Sequence, residues 1–209
     1  RKEMTGALND ETLRNLHERL LYLRNLEEKK EQVINAITDQ GKMTEDLKKK
    51  ILSAETLVAV DDLYRPYRPK KQTRATKAKE KGLEPLANIL LLQKTTKSME
   101  EEAAAFVNAE KGVANAKEAI AGAKDIIAEM IADMADYRKS IRNCTMKQGS
   151  LVVKAKDEKA ESVYEMYYDF REPLSKVTGY RVLAINRGEK EKFLTVKVEA
   201  PDVQIVNAL

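Results

Sequence analysis

Tryptophan is absent from this chain, and histidine and cysteine occur once each, as His17 and Cys144. A single cysteine closes no internal disulfide and builds no thiolate cluster, and a single histidine builds no imidazole-based metal site. Cys144 therefore reads as an inert, partly buried thiol and His17 as a solvated helix residue, and neither a metal nor a cofactor is expected. The eight glycines never come closer than the nine-residue step from Gly179 to Gly188, which excludes GxGxxG and the P-loop. No apolar run approaches the roughly 18 residues of a membrane span, and no short hydrophobic signal-peptide core stands at the N-terminus. A cytoplasmic, monomeric protein with no membrane partner is expected. Because the chain opens on Arg1 instead of Met, it reads as a piece of something longer.

What the chain has in quantity is charge, 34% of its 209 residues, beside 43% apolar residues and only 5% aromatics. That balance suits a helical protein with a heavily solvated surface. From Asn9 to Gln40 there is no Gly or Pro. Leu13, Leu16, Leu20 and Leu23 recur at helical steps before the stripe drifts to Leu26, Val33 and Ile37. The pattern predicts one long helix, capped by Asn9, stopped at Gly41 and roughly 45 Å long. A second helix is predicted from Thr44 to Val60, with Leu47, Ile51, Ala54 and Val58 on one face. The short link forces the two antiparallel, with Leu20 in the seam. Shorter helices are predicted over Thr73 to Lys81, from Glu84 or Pro85 to Gln93, and over Ser98 to about Ala109, the last opened by a capping box of Ser98 and Glu101. Asn115 to Arg142 is Ala-rich, so neighbours can approach closely, and Asp133 is read as the cap of a new turn after a break.

Past Gly149 the texture changes. Leu151 to Val153 is β-branched and Phe193 to Val198 alternates, predicting a two-stranded element. Between them, helices are expected around Glu161 to Phe170 and from Thr178 to Arg187, closed by Gly188. In the aromatic run Val163 to Phe170, Val163, Tyr167 and Phe170 would share one face and Tyr164 and Tyr168 another, in a core role. The fold class is mainly α: a long helical hairpin over 1–62, a basic strap and helical region over 63–149, and a mixed segment with short strands over 150–209.

Chemistry-bearing constellations are few. Asp61-Asp62 and Glu100 to Glu102 are sequence neighbours on helices, where side chains diverge, and read as solvated faces or helix-dipole partners. No enzyme activity is expected. The stretch from Leu63 to Leu83 stands apart, with eight Lys/Arg residues against the single acid Glu80, a net of +7 in a chain whose total is +4. Pro66 and Pro69 should push Arg65 and Arg68 out of helical conformation, making Tyr64 to Lys71 an extended strap. Arg65, Arg68, Lys70, Lys71 and Arg74 are the expected phosphate contacts, with Lys77 on the following helix, whose N-terminus at Thr73 would add free backbone N–H groups. Tyr64 and Tyr67 alternate with the arginines. They either offer faces on which bases stack or anchor the strap against the hairpin. An RNA- or DNA-binding role without sequence preference follows, contacting phosphate through the strap. The alternative is a protein-interaction scaffold.

Four segments, RKEMTGAL at Arg1 to Leu8, ERLLYLRNLEEKK at Glu18 to Lys30, DDLYRPYRPKKQTRATKAKEKGLEPLA at Asp61 to Ala87 and YRVLAINRGEKEKFL at Tyr180 to Leu194, resemble the N-terminal region of the bacterial transcription accessory Tex family. That family is related to eukaryotic histone-chaperoning elongation factors. The resemblance implies a mostly helical region with helix-turn-helix character. In the longer family members an RNase-H-like domain, helix-hairpin-helix units and an RNA-binding OB-fold follow. It implies a transcription-associated role, offers RNA polymerase or the downstream domains of the same chain as protein partners, and supplies no catalytic residues. This chain departs from the family pattern at Tyr180, where His is usual, and at Lys192, where Gly is usual.

Overall fold

A computed structural model describes residue 6 and residues 9–208, so all but Gly6 of the Arg1 to Leu8 segment lies outside the described residues. The architecture is mainly α, with ten α-helices and three strands among the described residues. The chain packs into two compact units, 1–135 and 136–209. The boundaries expected from sequence lay at 62/63 and 149/150.

In the first unit, α1 (Asp10–Asp39) starts where Asn9 accepts a hydrogen bond from the Thr12 N–H. It stops at Gly41 (φ +66°), with Gly41 N–H bonded to Thr38 O and Lys42 N–H to Ile37 O. That paired closure needs a left-handed residue just past the helix, which glycine takes without steric cost. The predicted second helix is broken in two, α2 (Glu45–Leu52) and α3 (Leu57–Tyr64), because Thr56 caps a fresh start by accepting from the Ala59 N–H. The two short helices cover only the C-terminal half of α1, where Leu26, Val33 and Ile37 are buried with Ile51 and Val60. Leu16, Leu20 and Leu23 are 58%, 43% and 40% exposed, so the expected seam through Leu20 is corrected to one that begins at Leu26. Lys30 is buried beneath the break and donates to Glu27 Oε1 (2.8 Å) and to Leu52 O (2.9 Å), an end-of-helix carbonyl left without an intrahelical donor.

The second cluster of this unit joins α4 (Arg74–Glu80), α5 (Glu84–Leu92), α6 (Met99–Ala104) and α7 (Ala116–Asp133). The capping box of Ser98 and Glu101 forms, though α6 ends at Ala104, short of Ala109. Ala75, Ala78, Leu83, Leu86, Ala119, Ala123 and Ile126 are buried together. Gly122 permits the closest approach, since a Cβ there would lie 2.4 Å from Leu83 Cδ1. Small residues on α7 thus let α4 and α5 settle against one of its faces. The flank beside that face, carrying Asp125, Glu129 and Asp133, meets the strap.

The second unit contains α8 (Ala135–Gln148), β1 (Ser150–Ala155), β2 (Asp169–Pro173), α9 (Gly179–Lys190), β3 (Leu194–Glu199) and α10 (Asp202–Ala208). The sheet has three antiparallel strands in the order β2-β1-β3, with Leu151 opposite Glu172 on one side and Val198 on the other. The expected helix over Glu161 to Phe170 is corrected to a short 3-10 turn at Glu165–Tyr167 running into β2. Aromatic residues fit a pleated surface well, and pairing with β1 overrides the helical spacing. The core role of the aromatic run holds for Tyr164 and Tyr167, which are buried with Val153, Ile185 and Leu194, whereas Val163 is 85% exposed. Tyr164 Oη donates to Glu191 Oε2 at 2.9 Å. Burial pushes this phenol above its ordinary range, and the Glu191 carboxylate adds to the shift. Gly188 does not end α9 but lies inside it, where a Cβ would sit 2.6 Å from Leu194 Cδ1.

Candidate functional site

The basic stretch folds less openly than its prolines suggest. Arg65 is the C-cap of α3 and remains right-handed helical (φ −52°, ψ −43°), opening a 3-10 turn over Arg65–Tyr67. Only at Arg68 (φ −66°, ψ 133°), which precedes Pro69, does the chain become extended. The strap therefore begins at Arg68 and runs to Thr73, the N-cap of α4, a correction to the extended Tyr64 to Lys71. Thr73 Oγ1 accepts from the Thr76 N–H, and α4 has only seven residues, so it does not provide the row of free N–H groups anticipated there.

Tyr64 and Tyr67 are half-buried and pack on the Leu26, Val33 and Val60 cluster. Tyr67 O accepts from Gln40 Nε2 at 3.0 Å, and the Arg68 guanidinium lies 5.5 Å from the centre of the Tyr64 ring. Both tyrosines thus tie the start of the strap to α1. One face of Tyr64 is already taken by a cation.

Opposite the strap stands a row of carboxylates that the sequence reading did not single out. Asp125, Glu129 and Asp133 recur every four residues on α7, so they share one face. Asp133, at 12% side-chain exposure, accepts from Arg65 Nε at 3.0 Å and also from Lys70 Nζ. Lys70 additionally meets Glu129 Oε1 at 3.2 Å. Arg74 Nε comes within 3.7 Å of Asp125 Oδ1 with its side chain 88% exposed. Asp133 therefore serves as an ion-pair partner of the strap instead of the turn cap read from sequence. Burial pulls the Lys70 amine down, but hydrogen bonds and charge from Asp133 and Glu129 outweigh it and hold the group above its ordinary range. Asp61 Oδ1 takes Arg68 Nη2 at 3.0 Å and Lys29 at 3.5 Å, while Asp62 is buried, so this acidic pair is no free solvated face.

Between the strap and α7 lies a cleft of about 530 Å³, lined by Arg65, Arg68, Lys70, Lys71, Gln72, Thr73 and Arg74 on one wall and by Asp125, Glu129 and Asp133 on the other. The eight predicted site residues thus separate into three sets. Tyr64 and Tyr67 anchor the strap; Arg65 and Lys70 meet the carboxylates of α7; Arg68, Lys71, Arg74 and Lys77 are exposed, Arg68 with Asp61 beside it. Among the described residues, Lys71 and Lys77 have no ion-pair partner within 4.0 Å. No group of three His, Cys, Asp or Glu side chains among the described residues could hold a metal ion.

A helical scaffold that displays a pinned basic strap is the class of protein these elements define. The chain matches the family description "Tex central region-like" over residues 94–208 and "Tex-like protein N-terminal domain" over residues 1–38. It belongs to the Tex family. It is 46% identical over 204 residues to the uncharacterized protein YdcI of Bacillus subtilis, covering 96% of this chain and 28% of that protein. Identity is 39% over 202 residues to the transcriptional accessory protein Tex of Neisseria gonorrhoeae, covering 95% and 26%. A human protein named S1 RNA-binding domain-containing protein 1 is 32% identical over 212 residues, covering 97% and 21%. The chain therefore spans about a quarter of the length of these relatives.

Proposed function

We propose that this chain is a non-enzymatic, helical part of a transcription-associated protein and binds RNA or DNA phosphates through the outward cations of the strap, Arg68, Lys71, Arg74 and Lys77. The observation that carries this reading is the concentration of exposed positive charge on one pinned segment, with its inner cations already neutralised. The names of the Neisseria and human relatives, which refer to transcription and to an RNA-binding domain, support the same direction. Phosphate contacts carry no base information, so binding should be indifferent to sequence.

The test is a titration of labelled single- and double-stranded RNA and DNA, followed by anisotropy at several salt concentrations. With about four phosphates contacted, log K should fall against log salt with a slope of about −3.6 on duplex DNA and about −2.8 on single strands. Between about 50 and 200 mM salt that amounts to roughly fifty- to 150-fold weaker binding. Changing Lys71, Arg74 and Lys77 together to Ala should flatten the duplex slope by about 2.7. An unchanged slope, or no binding by the wild-type chain at low salt, removes the outward cations from this role.

A second reading rests on a different observation. The N-terminal half of α1 exposes Leu16, Leu20 and Leu23, and a protein surface would cover them, either RNA polymerase or a later part of the longer relatives. Association with such a partner that tolerates high salt and is lost on Leu16→Ser with Leu20→Ser would favour the scaffold over the phosphate reading.

A further inference from the structure

The geometry points to the carboxylate row on α7 as a built-in competitor for the strap's ligand: Asp125, Glu129 and Asp133 occupy the places of successive phosphates, and Glu129 and Asp133 keep Lys70 and Arg65 from a bound polyanion. This inference rests on the phosphate reading above and adds how the same site is regulated. Side chains four apart on a helix rise about 6 Å per step, comparable to the spacing of successive phosphates along a nucleic-acid strand. The cations meet this row in reverse chain order, Arg65 and Lys70 at Asp133, Lys70 at Glu129 and Arg74 at Asp125. The row is unevenly closed. At Asp133 two cations converge on a carboxylate 12% exposed, whereas at Asp125 the separation is 3.7 Å and Arg74 is almost fully exposed. The open end therefore lies at Arg74, next to the unpaired Lys71 and Lys77. A polyanion engages there and does not reach Lys70 and Arg65, which Glu129 and Asp133 hold. The short chain of ion pairs thus withholds two cations from the encounter and sets the affinity below what the composition of the strap implies.

The test compares salt slopes on the same duplex probe. Glu129→Gln with Asp133→Asn releases Lys70 and Arg65 and should steepen the slope by about 1.8, two further counterions at roughly 0.9 each. Asp125→Asn should leave the slope near the wild-type value, since Arg74 is already available. The same two-charge change made as Glu11→Gln with Glu18→Gln, on the exposed N-terminal half of α1, should also leave it unchanged. In the otherwise wild-type chain, Lys70→Ala should not flatten the slope, and this measurement stands even if the double variant fails to fold. Wild-type binding with equal slopes for the double variant overturns the competitor and leaves the phosphate reading intact, as does equal steepening by the α1 control. A flatter slope in Lys70→Ala overturns it too. Binding by the double variant alone supports the competitor while removing the outward cations as sufficient contacts. No binding by either chain at low salt overturns both.

Discussion

Lys192 is where a single side chain meets a backbone that does not suit it. It stands at φ +68° just past α9, with its N–H bonded to Glu189 O and the Phe193 N–H bonded to Gly188 O. This is the same closure that Gly41 makes after α1, here carried by a residue with a Cβ. A left-handed conformation costs an L-residue roughly 1–2 kcal/mol, part of which glycine gives back through its freer unfolded chain. Lys192→Gly should therefore raise stability by about 0.5–1 kcal/mol, read as a higher Tm. An unchanged or lower Tm would mean that the lysine compensates its own strain. Four residues earlier the sign reverses. Gly188→Ala gains about 1 kcal/mol of helix propensity, but its methyl would intrude on Leu194, which is fully buried and cannot swing aside. Overpacking of this kind typically costs about 1–3 kcal/mol, so a net loss of Tm is expected.

At the scale of elements, α1 separates periodicity from burial. Its leucines repeat correctly from Leu13 onward, but a period says which residues share a face and not whether a partner reaches it. The partner is short because Thr56 restarts the chain after Leu52. Ile37→Asp, placing a carboxylate at a fully buried position, should cost several kcal/mol. Leu20→Asp should cost less than about 1 kcal/mol. Chemical denaturation of the two variants measures the difference, and comparable losses would show that Leu20 is covered after all. The same distinction explains what was legible beforehand. Asn9 and Ser98 cap helices as expected, and Thr44 and Thr73, read as helix starts, cap theirs, since capping is decided within a few residues. Strand β2 was missed because a partner elsewhere in the chain overrules a local aromatic spacing. In the site the cations could be read directly, as a run of like charge. Their carboxylates could not, because Asp133 lies 68 residues from Arg65 and 63 from Lys70, and a DxxxExxxD row on a helix looks like any solvated face.

For the whole molecule, the two compact units draw on different kinds of contact. The first is assembled mostly from helices and short helix-to-helix links. The second depends on β1 pairing with strands that come later in the chain. Local contacts form faster than non-local ones. Refolding by stopped-flow should give an early phase in far-ultraviolet circular dichroism and a later one in the tyrosine emission of a variant with Tyr22, Tyr64, Tyr67 and Tyr137 changed to Phe, whose remaining tyrosines lie in the second unit. One shared rate for both signals would contradict separate assembly. The strand order β2-β1-β3 also matters while the chain is being made. The central strand emerges first, and its second neighbour is complete only when Glu199 has left the ribosome. At about 5–20 residues per second that interval is on the order of seconds. During it Leu151 and Val153 stand on a strand with an open edge, the form most exposed to mispairing with another nascent chain. Translation speed between Ala155 and Glu199 therefore sets how long that edge stays open.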